Sequence, residues 1–190
     1  MQGVSASSAA IFAVRVKYMS WKKGNNNINR KPFLVGLIVG GLLGLIPGFG
    51  LGVYFLPIIL AGDGADETVL AGASGAAERR GMFVRDLPGS DPLHYGDGEI
   101  IHSVENGETF ITLQGRVTTG PDYKLYLTPK YVDTKAGFED IKAQSVRVGD
   151  IKAFENFRLR VPSSVKADDY PAVLVWCEKF SMFITSAQLK

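Results

Sequence analysis

The sequence predicts one transmembrane α-helix followed by a small all-β domain, a sandwich or barrel-like fold. Three observations carry this expectation. Residues Phe33 to Leu60 contain no charged, His, Asn or Gln side chain. From Gly81 onward, short β-prone runs alternate with turn residues at the spacing of a sandwich or barrel. Between these regions the composition shifts to Gly, Ala, Ser and acidic residues. A chain of 190 residues accommodates one ordinary domain plus an accessory segment.

The apolar run extends about 40 Å as a helix, enough to cross a hydrocarbon core of about 30 Å with some tilt. Lys22, Lys23, Arg30 and Lys31 precede it, and Asp63, Asp66 and Glu67 follow it. The positive-inside bias then keeps the N-terminus cytoplasmic and places the C-terminal domain on the periplasmic or extracellular side of a single-pass cell membrane protein. A cleaved signal peptide is the alternative, since Ala61-Gly62 and Leu70-Ala71-Gly72-Ala73 offer small residues. The run is much longer than the roughly 7 to 15 residues of a usual signal core. Gly36, Gly40, Gly44, Gly48 and Gly52 recur every four residues along one helix face. Such a stripe permits close helix approach and points to a homodimer in the lipid bilayer, although Gly is common in membrane helices and Pro47 and Pro57 favour a kink.

These readings divide the chain into a disordered basic tail over 1–31, the transmembrane helix over 32–61, a flexible tether over 62–80 and the β domain over 81–190. Met19 opens a typical short basic lead into the helix, so the first eighteen residues are also compatible with an upstream start choice. Within the domain, Gly98 to Val104 and Thr109 to Leu113 are strands joined across Glu105-Asn106-Gly107-Glu108, since Asn-Gly is the strongest short-range hairpin signal. Lys124 to Thr128 follows the turn-forming Gly120-Pro121-Asp122. Phe154 to Val161 reads as a strand ended by Pro162. The continuous apolar run Ala172 to Cys177 reads as a central strand covered on both faces, with Ser181 to Thr185 returning beside it.

Composition excludes several functions. The net charge of +2, with 21 bases against 19 acids, gives no basic surface for nucleic acid. The single cysteine, Cys177, cannot form an intramolecular disulfide. No Gly-x-Ser-x-Gly elbow, Walker loop, paired metal-binding histidine motif or Cys-x-x-Cys-His attachment site occurs, so no hydrolase or transferase motif supports an enzyme.

Gly81-Met82-Phe83 with His94-Tyr95-Gly96-Asp97-Gly98, then Gly120-Pro121-Asp122-Tyr123-Lys124-Leu125-Tyr126-Leu127, Val148-Gly149-Asp150-Ile151-Lys152 and Val173 to Phe180 together resemble the DM-thirteen domain, which occurs beside DOMON domains in Skeletor-type cell-surface proteins and alone behind bacterial membrane anchors. The first set is similar to the opening pattern of that family, Gly120 to Leu127 to its middle, Val148 to Lys152 to its Leu-Gly-x-Leu-Lys turn, and Val173 to Phe180 to its end. Phe157-Arg158-Leu159 departs from the family's Gln-x-Tyr. The resemblance spans about Gly81 to Leu189 and implies an electron-transfer or oxidative role centred on the single Cys, together with a redox partner protein.

A lone thiol in an oxidising compartment must be hidden or used, and both readings stay open for Cys177. As a site, Cys177 would be the redox group or a ligand for haem or another metal, with His94 and Met182 as conceivable co-ligands. No cofactor at all is equally compatible. A blue-copper site needs a second His close to Cys177, and none follows it. Lys179 or Lys152 would favour a thiolate if either ammonium lay nearby. His102 is expected to face solvent or to be capped. The alternative function is a cell-surface binding or adhesion module, with Cys177 as a core residue and the loop from Pro129 to Gln144 presented to a wall polymer or partner protein.

Overall fold

The computed structural model describes residues 30–190. The expected basic tail lies almost wholly outside them. Helix α1 (Arg30–Ile59) contains a stretch, Arg30–Leu56, of mean hydropathy 2.2, long and apolar enough to cross a membrane.

The domain is built from eight strands in two antiparallel four-stranded sheets. The strands are β1 (Ala77–Phe83), β2 (Gly96–Glu105), β3 (Glu108–Val117), β4 (Tyr123–Thr128), β5 (Val146–Asp150), β6 (Arg158–Arg160), β7 (Ala172–Cys177) and β8 (Met182–Gln188). One sheet runs β1-β2-β3-β6 and the other β5-β4-β7-β8. Arg80 and Lys190 exchange two backbone hydrogen bonds of 2.8 Å, stitching β1 to the end of the chain beyond β8. The fold is therefore a sandwich joined along one edge, in keeping with the sandwich or barrel-like expectation.

The Asn-Gly hairpin forms as expected. Glu105 pairs with Glu108, leaving a two-residue loop in which Asn106 and Gly107 take φ of 51° and 80°. Positive φ at both loop residues matches the right-handed twist of the flanking strands, and Asn and Gly tolerate it best. A second backbone constraint lies at Gly115, where φ is 149° and a Cβ would stand 2.2 Å from the Asp97 carbonyl oxygen. Its N–H donates to Asn156 Oδ1 at 2.9 Å, and its carbonyl accepts from the Asn156 N–H at 2.9 Å.

Strand β7 is central and covered on both faces. Val173, Val175 and Cys177 enter the core between the sheets with Ile100, Ile111, Leu113, Leu125 and Ile184. Leu174 and Trp176 point the other way, into a cluster with Tyr126, Phe138, Ile141 and Phe183. Strand periodicity explains both assignments, since alternate residues face opposite sides. The cover on that outer face is helix α3 (Lys135–Ile141), whose N-cap Thr134 accepts a hydrogen bond from the Gly137 N–H. The stretch from Pro129 to Gln144, expected as a presented loop, thus carries a helix that buries Phe138 and Ile141.

Two further expectations are corrected. The tether over 62–80 is not free chain. It holds helix α2 (Glu67–Gly75), which packs on β2 and β3, and most of β1. Asp66 caps α2 by accepting from the Val69 N–H, and Leu70 and Ala73 are its buried face. Gly62 and Ala65 donate backbone hydrogen bonds to Lys152 and Asn156, docking the approach to α2. The strand expected over Phe154 to Val161 is cut to three residues, because Asn156 turns with φ of 48° to reach Gly115.

Candidate functional site

Cys177 closes β7, with Tyr123 opposite it on β4 and Met182 opposite it on β8. Antiparallel neighbours on one face sit close enough for side-chain contact. Two of the segments resembling the DM-thirteen pattern thereby converge, since Gly120 to Leu127 supplies β4 and its entry turn and Val173 to Phe180 supplies β7 and the turn beyond. The remaining neighbours follow from the same turns. Lys124 is buried and paired with Asp122 at 2.5 Å and Asp150 at 3.1 Å, so the Val148 to Lys152 segment joins the same end of the sheet. A cleft of about 230 Å³ lies there, lined in part by Asp122, Tyr123, Lys124, Asp150 and Lys152.

The thiol is sealed, with Cys177 only 1% exposed. Burial pushes its pKa above the ordinary 9.0, and the Asp122 carboxylate pushes the same way, while the backbone N–H groups of Phe180, Lys179 and Asp122 pull it back only in part. Cys177 is consequently a protonated thiol at neutral pH. The side-chain charge acting on it is an anion, in place of the Lys179 or Lys152 ammonium envisaged from the sequence. Tyr123 is similarly enclosed: burial raises its phenol to about 12, while its hydroxyl lies 3.5 Å from Thr118 Oγ1 and donates to the Thr119 carbonyl at 3.4 Å.

His94 sits outside this arrangement. Its Nδ1 lies 2.9 Å from Asp91 Oδ2 in the loop before β2. Among the described residues, no group of three or more His, Cys, Asp or Glu ligands includes His94 or Cys177. A haem does not fit at Cys177, since the thiol offers no open face; the Asp91 bond takes only Nδ1 of His94, and His94 lies in a different part of the fold from the thiol. Of the co-ligands considered, the fold brings Met182 opposite Cys177 through strand register, which sequence spacing did not show.

His102 overturns its expected exposure. It lies on β2 at 1% exposure, opposite Ile111 of the inner core and Arg79 of β1. Neither ring nitrogen has a hydrogen-bond partner among the described residues. Burial, then the Arg79 guanidinium, holds its pKa below 6.5, so the ring is neutral.

On the outer face of the second sheet, Glu178 links three elements. Its Oε2 accepts from Lys142 Nζ at 2.7 Å, and its Oε1 accepts from the Tyr126 hydroxyl. Burial raises the Glu178 carboxyl, but Lys142 and Tyr126 outweigh it and hold the group below 4.5. The Lys142 ammonium also lies 5.2 Å from the centre of the Trp176 ring. The sequence pairs Glu178 with Lys179 in a turn and gives no hint of this network.

The family model described as "Electron transfer DM13" matches residues 92–189, just over half of the chain. No curated protein and no solved structure gives a significant match to it.

Proposed function

Because this chain belongs to the DM13 family, we propose that it is a membrane-anchored, extracytoplasmic electron-transfer domain whose redox group is Cys177. The observation that carries the reading is the convergence of the middle and end family-like segments, Gly120 to Leu127 and Val173 to Phe180, at one thiol, with Tyr123 on one side and Met182 on the other. α1 supports the anchor, and the basic residues before it and acidic residues after it support an outward-facing domain. The Gly36 to Gly52 stripe would pair two copies in the bilayer.

The chemistry open to a lone thiol is exchange with a disulfide carried by a redox partner. Cys177 gives up its proton and attacks one partner sulfur, forming a mixed disulfide. The other partner sulfur leaves as a thiolate and takes a proton, so the partner disulfide is reduced as Cys177 is oxidised. The protonated, sealed form is unreactive, and reaction requires the turn over 178–181 to open. That turn carries the Lys179 and Phe180 N–H groups that favour the thiolate, and Ser181 holds φ of 47°. The binding-module alternative is favoured by the burial of Cys177 in the core, while α3 takes up part of the Pro129 to Gln144 loop that it would present.

The test uses the full chain in detergent micelles, incubated with glutathione disulfide and followed by intact mass. A slow adduct at Cys177 that dithiothreitol reverses, absent in Cys177→Ser, supports the reading. No adduct on the native chain, with full reaction after unfolding, makes Cys177 a core residue and sinks it. Protease added to spheroplasts should remove the domain and spare an N-terminal tag. Protection until lysis would reverse the topology.

A further inference from the structure

The unpartnered His102 lies beside two carboxylates that come from different parts of the chain. Its Nδ1 is 3.7 Å from Glu78 Oε2. Ligand atoms of Glu78, His102 and Asp168 all lie within 4.8 Å of one another. The juxtaposition depends on three elements. β1 shifts register between Ala77 and Arg79, so Glu78 lies at the irregularity, directly before the Arg79 that pairs with His102. Asp168 sits in the short 3-10 turn Ala167–Asp169, and Arg79 holds that turn in place by donating to the Ala167 carbonyl at 2.9 Å and the Tyr170 carbonyl at 3.0 Å. Arg79 Nη2 also pairs with Asp168 Oδ1 at 3.4 Å.

A buried imidazole without a hydrogen-bond partner costs stability unless something engages it. We propose that Glu78, His102 and Asp168 bind a divalent first-row transition ion of the zinc type. A neutral imidazole with two carboxylates is a nitrogen and oxygen set that zinc accepts, whereas magnesium and calcium favour oxygen alone. Zinc bonds of about 2.0–2.2 Å place tetrahedral ligand atoms about 3.4 Å apart. The cluster must therefore contract by an ångström or so. The rigid member is His102, while Glu78 and Asp168, with side chains 50% and 79% exposed, have the freedom to close on it.

The local charge permits this. Two carboxylates against one guanidinium leave a net negative site, and Asp168 has a second carboxylate oxygen beyond the one facing Arg79. The exposed carboxylates also give the ion a path from solvent and leave a fourth position for water. Once bound, the ion would staple β1, β2 and the 167–169 turn together. This site is independent of Cys177.

Calorimetric titration of zinc into the chelator-stripped full chain in micelles, carrying a tag without histidines, tests the assignment, with cobalt absorption as a second readout. One ion per chain is expected, with tetrahedral cobalt bands. Glu78→Gln and Asp168→Asn, isosteric changes at exposed side chains, should each weaken binding about tenfold or more. His102→Gln should abolish it, and Cys177→Ser should leave it unchanged. The proposal is overturned if the wild-type chain takes up no zinc, if Glu78→Gln and Asp168→Asn both bind as wild type does, or if Cys177→Ser removes the site.

Discussion

Alkylation of Cys177 measures how well the closed fold seals its thiol. The side chain is 1% exposed and its pKa lies above 9.0, so the native chain offers almost no thiolate at neutral pH. Reaction must pass through an opening of the β7–β8 turn that uncovers Cys177 and Met182. Losing the burial of one fully covered and one half-covered side chain, plus turn hydrogen bonds, costs about 3 kcal/mol. At about 1.4 kcal/mol per decade, iodoacetamide should label the native chain about a hundredfold more slowly than the urea-unfolded chain at the same pH. Rates within about tenfold of each other would show that the thiol is not sealed. Stability carries the same signature. Because the folded thiol has the higher pKa, its favourable burial is fully present below the unfolded value and is lost as pH rises through the folded value. Cys177→Ala should therefore cost about 1 kcal/mol at neutral pH in urea unfolding, and that cost should shrink in alkaline buffer. A cost that stays constant across that range would contradict the assigned direction.

Three other perturbations have defined outcomes. Glu178→Gln should cost about 1–2 kcal/mol at neutral pH by weakening the charge-assisted bonds to Lys142 and Tyr126, which are only half-buried. The folded carboxyl lies below 4.5, so this contribution is present above the unfolded pKa and disappears as pH falls through the folded one; paired urea melts of wild type and variant should converge in acid. Gly115→Ala should destabilise the domain by at least about 2 kcal/mol, since φ of 149° and a 2.2 Å approach to the Asp97 carbonyl both oppose a Cβ, and an unchanged melting curve would count against this backbone path. Gly40→Ile combined with Gly44→Ile should reduce the signal of a bilayer association reporter, and an equal signal would leave the stripe as a compositional habit.

The long apolar helix, the Asn-Gly hairpin and the doubly covered β7 were legible in the sequence because each depends on local chemistry. Absence of charge, positive-φ residues and an unbroken apolar run act within a few residues. β1 was hidden because its inward-facing positions are Arg79, Gly81 and Phe83, and Gly81 is needed where a Cβ would meet the Gln188 carbonyl at 2.6 Å. No hydrophobic alternation can mark such a strand. α2 and α3 are short and bury two residues each, so their apolar faces are too small to stand out from loop composition. His102 shows the limit most directly. Ile100, Ile101, His102 and Ser103 are all buried because α2 covers the outer face of β2, so alternation cannot tell which side His102 takes. Its neighbours Glu78 and Asp168 are 24 and 66 residues away in sequence. Register, a bulge in β1 and the grip of Arg79 on the 167–169 turn bring them together, and these are long-range packing outcomes that no local pattern encodes.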